Sequence, residues 1–283
     1  MAAVTGLERV AAAARPARRG PWRGLVFLLA ALYFLVPLGA SLWYTVYNEN
    51  TGFSLAPYAE LLTAEGFVRS MLLSLGLALA TIVLVLLLTL PAMLAVRLAA
   101  PRLRPVMEVL CTLPLVVPPI TFVVGMSRSL AAGGEVLAPT PFWATLIAIQ
   151  NPGFPIVLVL AYMVLVLPFV YRSLDAGLRT MDVRTLVEAA RNLGASWPHV
   201  VFRVIVPNLR SAIASASFLT LALVLGEFTV ARLLGYQPFA VWIVTISGSR
   251  GQMSVAVSIL SLLLIWLLLL AVSSAFGKEK KNP

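Results

Sequence analysis

The sequence predicts an all-α membrane protein with six transmembrane helices, cytoplasmic N- and C-termini, and a cytoplasmic helix–Gly–helix loop between spans four and five. Three observations carry that expectation. Of 283 residues, 60% are hydrophobic and 11% charged, against about 25% charged in an average soluble domain. Six apolar stretches approach the roughly 20 residues that a helix needs to cross about 30 Å of hydrocarbon. When the intervening segments are taken alternately, 17 of the 21 basic residues fall in one set. The other set holds Arg69, Arg128, Arg232 and Arg250. Lys and Arg gather in cytoplasmic loops, so the richer set lies inside, and the net charge of +10 needs no nucleic-acid partner.

Residues 1–23 form a basic cytoplasmic tail with five arginines. The first span, Gly24–Val46, has the positive flank of a signal peptide. Its apolar run exceeds the roughly 7–15 residues of a signal core, however, and no A-x-A-like site follows Ser41, so it reads as a retained helix. The second span, Ser70–Val96, is long enough to tilt. The third, Val106–Met126, contains Pro114, Pro118 and Pro119, which remove backbone donors and kink or break a helix. A broken helix can line a cavity, so these prolines are gate candidates, with plain packing as the alternative. Glu108 lies near the inner mouth, and Cys111, the single cysteine, reads as a small buried apolar residue.

The fourth span, Ile156–Tyr171, is short, with Pro152 and Pro155 at its outer end. The fifth, Ser211–Ala231, opens on small residues from Ser211 to Ser217, suited to close helix approach. It also carries Glu227, a pathway candidate because charge in hydrocarbon is costly; an ion pair with Arg232 is the alternative. The sixth, Ser254–Phe276, leads into a basic tail, 277–283. Together the spans make one domain, 24–276. The outer loops, Tyr47–Arg69, Ser127–Pro155 and Arg232–Met253, are too short for separate domains.

The inner segment 172–210 is the largest polar stretch. Asp182 can cap a helix on which Val183, Leu186, Val187, Ala190 and Leu193 share one face. Gly194 supplies a left-handed C-cap. Ser196 can cap a second helix with Pro198 in its first turn, and Pro207 marks the approach to span five. The apolar stripe suits either docking to a partner or packing beneath the bundle.

Glu188-Ala189-Ala190, three residues, Gly194, nine residues, then Val204-Ile205-Val206-Pro207 resembles the EAA loop, EAA-x3-G-x9-I-x-L-P, of permease subunits in binding-protein-dependent ABC importers. Val204 and Val206 stand where Ile and Leu are usual. The resemblance implies two permease subunits forming the pathway, two cytoplasmic ATPase subunits, and an extracytoplasmic substrate-binding protein, all at a prokaryotic inner membrane and surrounded by its lipid. It makes Glu188, Ala189, Ala190, Gly194 and Pro207 ATPase-coupling residues. Arg184 and Arg191 either pair with the ATPase or are plain positive-inside charges. The sequence lacks the G-x-x-x-x-G-K-[ST] phosphate cradle, since its Gly277-Lys278 is followed by Glu279. The chain is thus expected to be a transport subunit and no enzyme, binding no cofactor itself, with ATP and magnesium on the ATPase.

No Cys/His cluster suggests a metal, and His199 stands alone in the inner loop. The stretch from Gly226 to Gly235 is similar to permeases for polyamines, ferric iron, thiamine and aminoethylphosphonate. That similarity implies a small polar cargo, with spermidine or putrescine first, and a heterodimer of permeases. An ion-coupled secondary transporter using Glu227 is the competing class.

Overall fold

The computed structural model describes residues 21–48 and 52–277. The chain divides into two compact units, Met1–Leu55 and Ala56–Pro283. Most of the two expected tails lies outside the described residues; Pro21–Arg23 and Gly277 are helical.

In the first unit, α1 (Pro21–Val46) contains the expected first span. It runs into a short antiparallel hairpin, β1 (Tyr47–Asn48) and β2 (Gly52–Phe53), with Tyr47 opposite Phe53. The rings of Trp43, Tyr47 and Phe53 gather at 5.3–5.4 Å between centroids. An aromatic cluster at the end of an apolar helix suits the membrane interface.

In the second unit, α2 (Ala56–Ala59) precedes the long α3 (Phe67–Leu98). Gly66 turns into α3 at φ +81°, beneath the Trp242 ring. Next come α4 (Arg104–Thr112) and α5 (Pro119–Leu137). Between them a 3-10 turn, Leu113–Leu115, holds Pro114, and Pro118 is extended. The chain bends there by 97°. The segment expected as the third span is therefore a bent helix pair continuing past Met126 to Leu137. Pro119 starts α5 at a position whose N–H would be free in any case. Part of the expected outer loop is also helical, as α6 (Phe142–Ile149).

The helix at the expected fourth span is longer than expected: α7 (Ile156–Arg179) continues past Tyr171, with Pro168 inside it. Two further helices follow, α8 (Val183–Asn192) and α9 (Trp197–Asn208), the latter containing a π-helical stretch, Val200–Ile205. The chain bends by 79° into α10 (Arg210–Leu225). The expected fifth span thus ends early, because Gly226 and Glu227 leave the helix before α11 (Thr229–Leu233). The remaining helices are α12 (Phe239–Ser247) and α13 (Gly251–Gly277), the latter enclosing the expected sixth span. Among the described residues, three helices are long and apolar enough to cross alone, or up to five if each bent pair is one span; α13 is apolar over Gly251–Leu267.

Helices α3, α7 and α10 pack on one another. Leu77 and Val85 of α3, Leu158, Val166 and Leu174 of α7, and Ala216 and Val224 of α10 are buried among them. Of the small residues that open α10, Ala216 is buried in this contact and Ala212 lies against Gly177, while Ser211 and Ser215 are exposed. A smaller cluster joins Phe67, Trp242, Met253 and Val257, with the Trp242 indole N–H donating to the Glu65 carbonyl at 3.0 Å.

Candidate functional site

The segment between α7 and α10 forms an elbow. Asp182 caps α8 as expected: its carboxylate accepts from the Thr185 amide at 3.2 Å and the Thr185 hydroxyl at 2.7 Å. These bonds, the hydroxyl's first, hold the Asp182 carboxyl below its ordinary range. Val183 and Val187 are buried on the predicted apolar face, and Leu186 and Ala190 are half-buried. Leu193 departs from that face: it sits at the C-cap, where the helix has ended, and is 89% exposed.

Gly194 takes φ +83°, the left-handed conformation predicted for the turn. Its neighbours close the helix end, with the Gly194 amide bonded to the Arg191 carbonyl at 2.9 Å and the Ala195 amide to that of Ala190 at 3.1 Å. Ser196 precedes α9 in extended conformation without a side-chain cap bond, and Pro198 lies in its first turn.

The motif residues Glu188 and Ala189 are exposed on α8, and Pro207 is exposed near the end of α9. Arg184 Nε pairs with Glu188 Oε1 at 2.9 Å across one helical turn. Arg191 donates to the Ala195 carbonyl at 2.9 Å and lies 5.7 Å from the centre of the Trp197 ring. Both arginines therefore have partners within the loop.

Sequence reasoning missed the anchor beneath this elbow. Asp175, buried in the last turns of α7, meets Arg97 from the end of α3, Arg179 at 2.6 Å and Arg104 of α4 at 3.4 Å. Arg97 also donates to the Leu178 carbonyl at 2.9 Å. Basic residues at helix ends look like ordinary inside charges in sequence; the available signal was a lone aspartate at helical spacing from Arg179.

Of the pathway candidates, Glu227 acts as a cap. Its carboxylate accepts from the Val230 amide at 2.7 Å and the Ala231 amide at 3.2 Å. It makes no ion pair with Arg232 among the described residues. The buried Tyr162 hydroxyl of α7 lies beside it. α11 packs on α5, the helix that begins at Pro119. At the apex of the bend Val116 is 82% exposed.

Residues 103–278 match the family described as binding-protein-dependent transport system inner membrane component. The chain belongs to this family. It is an ABC importer permease, a multi-pass protein of the inner membrane, and its family is one of transport components, not enzymes. It is also similar to the spermidine/putrescine transport system permease protein PotB of Haemophilus influenzae, at 33% identity over 138 residues. That match covers 48% of this chain and 47% of the relative, about half the length of each.

Proposed function

We propose that this permease lines the path of a polyamine such as spermidine or putrescine. In this reading it pairs with a second, different permease subunit, receives cargo from an extracytoplasmic binding protein, and docks two cytoplasmic ATPase subunits through the α8–α9 elbow. The six-span topology with both termini inside belongs to the same reading.

The observation that carries the docking role is the elbow's division of faces. Val183 and Val187 are buried in the permease, while Leu193, at 89% exposure, and Trp197, at 50%, project from the turn. Paired apolar groups held in water on a rigid turn suit a cleft in a partner. The cargo class rests on the relative's transport of spermidine and putrescine as its name states.

The test is purification of the tagged chain in mild detergent with its candidate ATPase, comparing wild type with Leu193→Asp. Retention of the ATPase by wild type and its loss from the variant, at equal permease yield, is expected; equal retention overturns the docking site. Proteoliposomes of the full assembly should then take up labelled spermidine in an ATP-dependent way. Uptake of ferric iron, thiamine or aminoethylphosphonate instead would reassign the cargo, and ion-driven uptake by the permease alone would overturn the importer reading.

A further inference from the structure

We propose that Arg97 and Asp175 are a positioning pair that transmits movement of the α8–α9 elbow to the inner end of α3. This inference rests on the ATPase-docking reading above.

The covalent path from elbow to membrane is short. Thr180 and Met181 separate Arg179, the last residue of α7, from the Asp182 cap, and the Thr180 amide still bonds to the Gly177 carbonyl at 3.2 Å. A displacement of α8 therefore pulls on the last turn of α7. The end of a helix leaves its final carbonyls without intrahelical donors, and here Arg97 supplies one to the Leu178 carbonyl from another helix. One guanidinium nitrogen donates to the Leu178 carbonyl at 2.9 Å, while the other meets the Asp175 carboxylate and its backbone carbonyl at 3.3 Å. A single planar fork thus grips both the side chain and the backbone of that turn.

The three arginines are unequal. The side chains of Arg104 and Arg179 are 41% and 58% exposed and can be hydrated, whereas those of Arg97 and Asp175 are only 17% and 10% exposed. Charge neutralisation alone would not call for three cations around one carboxylate. Arg97 is the least exposed of the three partners, and it alone also holds the backbone of that turn through the Leu178 carbonyl.

The test uses the assembled importer in nanodiscs, in a Cys111→Ala background, with spin labels on Ala99 and Ala176, both exposed beside the pair. Dipolar broadening between the labels is expected to be the same with and without ATP and vanadate in an otherwise wild-type chain. With Arg97→Lys it should become nucleotide-dependent, and solute imported per ATP should fall about tenfold, the scale of an ordinary coupling free energy. Lysine keeps the charge but lacks the fork, so a requirement for charge alone would be met by it. Unchanged import per ATP in Arg97→Lys, or labels that separate on nucleotide binding in the wild-type chain, overturns the proposal. Should Arg97→Lys fail to assemble, Asp175→Asn keeps the volume and the Leu178 bond; wild-type import per ATP in that variant overturns it equally. A wild-type chain that retains no ATPase instead removes the docking reading.

Discussion

A β-carbon on Gly177 would stand 2.5 Å from the β-carbon of Ala212, and 3.0 Å from a methyl of Leu209. Helices α7 and α10 therefore meet with no space for even a methyl group, close to the turn that leads into the elbow. Gly177→Ala should destabilise the fold by about 1–3 kcal/mol, the usual range for overpacking. Ala212→Gly in the same chain should recover part of the loss. Unfolding by steric trapping in bicelles measures both; an additive pair would mean that the two positions do not meet.

Gly194 has no atom within 4 Å of the place its β-carbon would occupy, so substitution there acts through the backbone. At φ +83° a β-branched side chain costs roughly 1–2 kcal/mol, while asparagine tolerates the conformation. Gly194→Val should change the angle between α8 and α9 and lower cargo imported per ATP several-fold, at normal expression. Gly194→Asn should remain near wild type. Equal transport by both variants would separate the turn from coupling.

The Asp182 cap gives the elbow a pH dependence. Its carboxyl titrates below its ordinary range because Thr185 donates to the ionised form. The cap's contribution is therefore fully present above the unfolded value, about 3.9. It is lost as pH falls through the lower folded value. Hydrogen exchange should show the Thr185 amide protected at neutral pH, with its protection factor falling below about pH 4. Asp182→Asn should flatten that profile.

Much of this architecture was legible because its causes are local. Apolar length placed α1, α3, α7 and α13, and the Pro114–Pro119 cluster predicted a break where the chain turns by 97°. The α8 cap, its buried face and the Gly194 turn follow from short-range hydrogen bonding and from one residue's freedom at positive φ. What could not be read depends on partners distant in sequence. Arg97 and Asp175 are 78 residues apart, and each alone resembles an ordinary charge at a helix end. The early end of α10 was hidden for a related reason: apolar content continues through Phe228 and Val230, and only the Glu227 bonds to later amides reveal a second helix start. Leu193 fitted the apolar periodicity, but the helix stops before the period returns it to the core.

Glu227 offers a final discrimination. Both its oxygens are engaged by first-turn amides of α11, Val230 and Ala231, so the geometry supplies a reason for the residue independent of cargo. Glutamine retains an acceptor oxygen of similar reach but no charge. Glu227→Gln is therefore expected to preserve protein yield and to leave the KM for spermidine unchanged. Glu227→Ala removes the acceptor, leaves the Val230 and Ala231 amides without it, and should lower the yield of folded permease. A rise of about tenfold in KM with Glu227→Gln, at normal yield, would correspond to about 1.4 kcal/mol of lost cation binding and would put the carboxylate on the solute's path. Labelled spermidine uptake across a concentration series, normalised to folded permease by size-exclusion fluorescence, decides between the two roles.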